Sequence, residues 1–176
     1  MKPDDAVARI SQQQLDVSRE TLERLEAYAA LLMKWNQKIN LVSPAILPEL
    51  WTRHILDSAQ VFKFFPESPK SLCDIGSGGG LPGMILAILA QEKEPELTTT
   101  FLESDRRKCA FLQTVAAQLA LKTEIRSERI ESAEPVGADV VSARALAPLP
   151  KYPSWSSWFW RPFSLRFDKC VCKLEE

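Results

Sequence analysis

Between Leu72 and Gly83 a short apolar run, Leu72-Cys73-Asp74-Ile75, ends in a glycine-dense turn, Gly76-Ser77-Gly78-Gly79-Gly80, and then in Leu81-Pro82-Gly83. Residues without a Cβ adopt positive φ and let a ligand approach the main chain closely, so the turn reads as a cradle for a nucleotide-like cofactor. Pro82 suits the first position of a helix, where its missing N–H would have no partner anyway, and Ile85, Leu86, Ile88 and Leu89 continue as a buried helix whose start faces the ligand. A strand, a glycine turn and a helix in that order restrict the chain to an α/β fold.

The rest of the chain repeats this alternation. Strand signals at 71–76, 98–103, near Thr123 to Ser127 and over Ala138 to Ala143 are interleaved with helices from Pro82 and from Asp105 through Leu119. Alternation of this kind predicts a parallel, doubly wound sheet. The dinucleotide fingerprint requires a glycine five residues after Gly76, where this chain has Leu81, which argues against NAD. Glu103 closes the second strand. An acidic group there can accept hydrogen bonds from both hydroxyls of a ribose; the alternative is that it caps the helix that follows.

Upstream, Ser18 reads as an N-cap, with Val17 and Leu22 as a hydrophobic staple and Leu22, Leu25, Ala29, Leu32, Trp35 and Ile39 as one apolar stripe. After a turn from Asn40 to Pro48, a second helix sets Trp51, Ile55, Ala59 and Phe62 on one face, and Leu50, His54, Asp57 and Val61 beside them. His54 is the chain's only histidine, and a buried pair with Asp57 is weighed ahead of a catalytic or RNA-contacting role. With 176 residues, of which 45% are hydrophobic, the chain can bury one substantial core. It shows no apolar run long enough for a membrane span and no secretory signal, so a cytoplasmic location is expected. Cys73, Cys109, Cys170 and Cys172 lack a disulfide or zinc spacing, and no metal is expected. A net charge of −1 requires any nucleic-acid contact to come from a local basic patch.

Asp74-x-Gly76-x-Gly78-x-Gly80 resembles the first motif of class I S-adenosylmethionine-dependent methyltransferases. Four further motifs join it: Trp35-Asn36-x-x-Ile39-Asn40-Leu41, Arg53-His54-Ile55-Leu56-Asp57-Ser58, Glu103-Ser104-Asp105-Arg106-Arg107-Lys108 and Ser142-Ala143-Arg144-Ala145. Together, from about Val17 to Pro150, they resemble the bacterial rRNA small subunit methyltransferase G family, also called glucose-inhibited division protein B. The resemblance implies a Rossmann-like class I fold with N-terminal helices, and methyl transfer from S-adenosylmethionine to N7 of a guanine in 16S rRNA of the small ribosomal subunit. It places cofactor contacts on Gly76 and Leu81 in the turn, on Ile130 and Glu131 after the third strand and on Arg144 after the fourth, with Glu103 at the ribose position; Gly78 of the glycine turn is a further candidate. Arg144 has an alternative as a surface residue paired with Glu131 or Asp139. No catalytic side chain is expected. Guanine N7 is already an acceptor lone pair with no proton to remove, so alignment with the methyl donor suffices.

Arg106, Arg107 and Lys108, with Lys34, Lys38, Arg53, Arg126 and Arg129, are candidates for a phosphate-binding surface. The expected organisation is an N-terminal helical segment over 1–66, a cofactor-binding core over 67–150 and an atypical tail over 151–176, forming one structural domain. In the tail, Tyr152, Trp155, Trp158, Phe159 and Trp160 stand without helical or strand periodicity where the family's last strands are expected. The reading is a shifted frame or an altered terminus that removes those strands. A small-molecule methyltransferase and an inactive cofactor-binding fragment remain as alternatives.

Overall fold

A computed structural model describes residues 15–144, so the tail from 151 and its expected loss of strands lie outside the described residues. Helix α1 (Arg19–Asn36) starts where its cap is: the Ser18 side chain accepts from the Thr21 N–H, satisfying one of the unpaired donors of the first turn. Its buried face is Thr21, Leu22, Leu25, Tyr28, Ala29 and Leu32, with Val17 in the same apolar cluster as Leu22. The stripe overran the helix at one point. Ile39 lies beyond Asn36, whose Oδ1 accepts from the N–H groups of Leu41 and Val42 at 2.9 and 3.0 Å and so turns the chain.

The second helical segment is not one α-helix. It changes pitch from a 3₁₀ turn (Pro44–Glu49) to a π turn (Leu50–Ile55), then α2 (Leu56–Gln60), then another 3₁₀ turn (Val61–Phe64). Pro44 and Pro48 have no N–H to give, which keeps the regular α ladder from starting until they are passed. The period of 3.6 residues used in the sequence reading still placed Leu50, Trp51, His54, Ile55 and Ala59 inside.

Four strands, β1 (Ser71–Ile75), β2 (Thr98–Leu102), β3 (Thr123–Arg126) and β4 (Val140–Ala143), form a parallel sheet in the order β3-β2-β1-β4. Helices α3 (Gly83–Lys93) and α4 (Arg106–Gln118) make the crossovers. The chain winds outward from β1 to β3 and then returns to lay β4 on the other side of β1. Ligands in such sheets bind outside the carboxyl ends of the strands at this reversal. The architecture is that of the class I methyltransferase fold.

The two sheet faces are covered unequally. On one, α1, the second helical segment, α3 and α4 share a large apolar cluster that includes Tyr28, Trp51, Ile85, Phe101 and Phe111. A second cluster holds Cys73, Ile75, Leu102, Ala133, Ala138 and Ala143, with Ile130, Val136 and Val141 packed against it, and a third joins Leu72 to Leu86, Ala90 and Leu97. Helix α3 is buried on all sides from Gly83 to Ala90, as its unbroken apolar sequence requires. No helix among the described residues is long and apolar enough to cross a membrane.

Candidate cofactor site

The glycine turn is stitched to its neighbour strand before any ligand is considered. The N–H groups of Gly76 and Ser77 both donate to the Leu102 carbonyl, at 2.8 and 3.2 Å, and Gly76, Gly78 and Gly80 all have positive φ. A Cβ on Gly80 would come within 2.8 Å of the Met84 side chain, so this position is closed to larger residues by space as well as by φ.

Helix α3 begins one residue later than the sequence suggests, with Pro82 as its N-cap and Gly83 first. Its first residue is packed tightly on β1. The Asp74 side chain abuts it, and a Cβ on Gly83 would lie 2.5 Å from the Asp74 carboxyl carbon. Asp74 is 1% exposed, and burial pushes its carboxyl up to about 7 against the easing effect of the Ser142 and Ser77 hydroxyls; the nearby Glu103 charge pushes the same way. Its Oδ1 accepts from the Ser142 hydroxyl, while Oδ2 makes no hydrogen bond. The Gly83 N–H lies near enough to the carboxyl to favour its charged form slightly.

At the end of β2, Glu103 joins the two sides of a hollow. Its Oε2 accepts from the Gly78 N–H at 2.8 Å and its Oε1 from the Asp105 N–H at 2.8 Å, and the Cys109 thiol donates to its carbonyl. The cap of the following helix is not Glu103 itself. Asp105 is the N-cap of α4, and Glu103 fixes Asp105, yet each carboxylate oxygen keeps a second lone pair. The hollow of about 330 Å³ is lined by Gly76, Gly78, Glu103, Ile130 and Glu131, and by Lys108 and Arg129 at its rim. That volume falls within the range of about 300–1,000 Å³ usual for small-molecule sites. Five of the seven sequence-proposed cofactor positions thus share one cavity. The 3₁₀ turn Ile130–Ser132 brings Ile130 and Glu131 there after β3.

The other two positions lie apart from that hollow. Leu81 is 9% exposed and packed in the large apolar cluster, so what it can offer a ligand is main chain. Arg144 follows β4, whose Ala143 pairs with Ile75 of β1, and so stands beside the glycine turn at the reversal point. The structure gives Arg144 a contact other than the two proposed. Asp139 instead accepts from the Lys70 and Ser71 N–H groups, and Arg144 Nη2 lies 2.7 Å from His54 Nδ1. His54 is buried, as expected.

A residue that the sequence reading passed over completes this end. Tyr28 donates its buried hydroxyl to the Gly79 carbonyl at 2.7 Å. Burial, with the Asp74 charge, holds the phenol far above its ordinary pKa, and the Arg144 guanidinium works the other way, so Arg144 lies within electrostatic reach of the same hydroxyl. The available signal was a tyrosine inside an apolar stripe, because a buried Tyr hydroxyl requires a partner. Gly79 itself sits against Leu32, Leu41 and Val42, which a Cβ would approach to 3.3–3.4 Å.

The basic candidates divide. Lys38, Arg107 and Lys108 line a second hollow of about 300 Å³ with Ile39, Asn40 and Asp105, and Lys108 borders both hollows. Arg107 is ion-paired with Asp105 within that hollow, as Arg53 is with Glu49 and Arg126 with Glu124. Cys73 and Cys109 are free, buried thiols; burial pushes Cys73 up to about 12, so it is an inert core residue. Among the described residues no cluster of three His, Cys, Asp or Glu side chains could hold a metal ion.

Comparison with known proteins adds a family to this geometry. The family model for rRNA small subunit methyltransferase G matches residues 21–165, which runs past Pro150. The ribosomal RNA small subunit methyltransferase G of Ruegeria sp. (strain TM1040) is 59% identical over 136 residues, covering 77% of this chain and 66% of that protein. The protein of the same name from Paramagnetospirillum magneticum is 49% identical over 140 residues, covering 80% and 66%. The chain therefore spans about two thirds of the length of these relatives. Among solved structures it is similar to coclaurine N-methyltransferase bound to N-methylheliamine and SAH, with a TM-score of 0.44 and 12% identity over 81% of this chain and 51% of that one. With a family match over most of its length, and with the motifs of that family brought together around one sheet end, the chain belongs to the rRNA small subunit methyltransferase G family.

Proposed function

We propose that the chain binds S-adenosylmethionine at the carboxyl ends of β1 and β2 and methylates guanine N7 in the 16S rRNA of the small ribosomal subunit. The observation that carries this reading is the Glu103–Gly78 hydrogen bond, which puts a carboxylate with spare lone pairs and a side-chain-free main chain on one hollow with Ile130 and Glu131. These groups fit the ligand. Glu103 would take the ribose hydroxyls, Gly76 and Gly78 would let the donor lie against the backbone, and Ile130 would supply apolar contact for the adenine. Glu131, Leu81 through its main chain and Arg144 complete the proposed contacts.

When bound, S-adenosylmethionine supplies an electrophilic methyl group on a sulfonium. The chain's own contribution is to hold and align. N7 of guanine carries its lone pair outward in the major-groove edge and has no proton, so no side chain is required as a base. Lys108 and Arg129 beside the first hollow, with Lys38 in the adjoining one, would meet phosphates and fix the base over the donor. Family membership supports rRNA as the acceptor, and the sequence-based expectation of a cytoplasmic location follows from it.

Transfer of labelled methyl from S-adenosylmethionine to 16S rRNA, naked and in 30S subunits, tests the proposal, with Gly76→Val as the control because valine is strained at φ +66. Incorporation by the wild type that the variant loses, with borohydride and aniline cleavage at the methylated guanine, is the expected result. Equal incorporation by both proteins removes the site; labelling of metabolite pools but not RNA gives the chain to a small-molecule acceptor.

A further inference from the structure

We propose that His54 is a positioning residue that sets the Arg144 guanidinium at the sheet reversal, making the second helical segment part of the site. This deepens the reading given above, because it rests on Arg144 as a cofactor-binding residue.

Chemistry fixes the direction of the contact. A guanidinium has only donors, so His54 Nδ1, 2.7 Å from Arg144 Nη2, must be the acceptor, and the ring's proton must sit on Nε2. Arg144 stays cationic in any protein environment, which leaves neutral His54 with the one tautomer that can serve it. At 3% exposure the ring has little freedom to turn away. It is carried on the wide π turn Leu50–Ile55, between Trp51 and Ile55 of the apolar core, and π turns recur where a side chain is aimed at a site.

The place of Arg144 gives this contact its purpose. It follows directly on Ala143, which pairs with Ile75, so its main chain stands level with the first glycine of the turn. Its charge acts on the Tyr28 hydroxyl, which in turn holds the Gly79 carbonyl. A free arginine side chain carries much rotamer entropy that binding must remove. His54 occupies one donor of the fork and orients the rest, leaving its other N–H groups for an acceptor oxygen of the ligand.

Because His54 is the chain's only histidine, its ring nitrogens can be read without assignment in a ¹⁵N spectrum of uniformly labelled protein. The expected signature is an unprotonated Nδ1 and a protonated Nε2, with the Nδ1 resonance moving in Arg144→Ala. A protonated Nδ1, or an Nδ1 resonance indifferent to Arg144→Ala, overturns the proposal. Calorimetry with S-adenosylmethionine supplies the second test. His54→Leu is expected to weaken binding by roughly tenfold, as for loss of a hydrogen bond to a charged group. His54→Asn, which keeps an acceptor near the place of Nδ1, is expected to restore most of it.

In the Arg144→Ala background His54→Leu should add nothing further. An equal loss from His54→Leu in both backgrounds assigns His54 to packing alone and overturns the proposal while leaving the cofactor site in place. Unchanged affinity in Arg144→Ala removes Arg144 from the cofactor site, and the proposal with it. Absence of binding by the wild type overturns the functional reading itself.

Discussion

At the end of β2 the link from Glu103 to Gly78 is closed by residues lying within one stretch from the first strand to the turn after the third. At the end of β4 Arg144 leans on His54, 90 residues earlier, while Tyr28 of α1 holds Gly79. The first half is assembled by strand ends and tight turns that any α/β sheet of this order brings together. The second exists only once the N-terminal helices have docked. A local motif can therefore specify where a ribose would bind, whereas the end of the site nearest the reversal depends on tertiary packing.

Both halves rest on the junction of β1 and α3, so the largest effect is expected there. Gly83→Ala puts a methyl group 2.5 Å from the buried Asp74 carboxyl carbon, with core on every side. Overpacking of this kind costs about 3 kcal/mol. Urea unfolding should show that loss, and S-adenosylmethionine binding should fall with it. If stability is unchanged, the junction is plastic and the two halves do not share a floor.

Asp74 makes the same floor sensitive to pH. Its folded pKa of about 7 lies above the ordinary 3.8, so the native state holds the proton more tightly than the unfolded chain does. The stability it contributes is fully present below the unfolded value and is lost as pH rises through the folded one. The stability difference between wild type and Asp74→Asn should therefore fall by about 2 kcal/mol between about pH 5 and 7. A flat difference across that window would show that Asp74 is ionised in the fold and compensated by groups other than Ser142 and Ser77.

Tyr28→Phe separates the halves. Removing the hydroxyl leaves the Gly79 carbonyl without its partner at a buried site, at a cost of about 1–2 kcal/mol. S-adenosylmethionine, which would span both halves, should bind severalfold more weakly. Adenosine, which would need only the Glu103 half, should bind within about twofold of wild type, as expected for independent sites. Equal weakening of both ligands would break the comparison, because the halves would then be one rigid unit.

What the sequence made legible follows the same division. The four strands and the Ser18 cap were readable, and five of the proposed positions fall on one hollow, because each is announced within a few residues by glycine, a carboxylate or an alternating pattern. The packing of Gly83 against the Asp74 carboxyl was not read, because the two lie on opposite sides of the turn in sequence. The pitch changes after Pro44 were invisible to a single helical period. Tyr28 and the His54–Arg144 pair were missed because nothing near either residue in sequence names its partner. Glu103 was singled out by its place at the end of β2, but its hold on the Gly78 and Asp105 N–H groups was not foreseen.

The smallest effect asks how the N-terminal helices transmit their hold. Ser18 caps α1 and also donates from its N–H and hydroxyl to Glu92 of α3, tying the two helices at the end away from the site. Ser18→Ala removes the cap and one of these bonds and is expected to cost about 1 kcal/mol in thermal or urea unfolding. Tyr28 stands two turns further on, locked by Leu25, Ala29 and Leu32 in the core, so fraying of the first turn should stop short of it. S-adenosylmethionine affinity is then expected to be unchanged while stability falls. Loss of both together would mean that α1 acts as a lever from Ser18 to Gly79, and that the second half of the site is held by the docking of the whole helix rather than by two side chains.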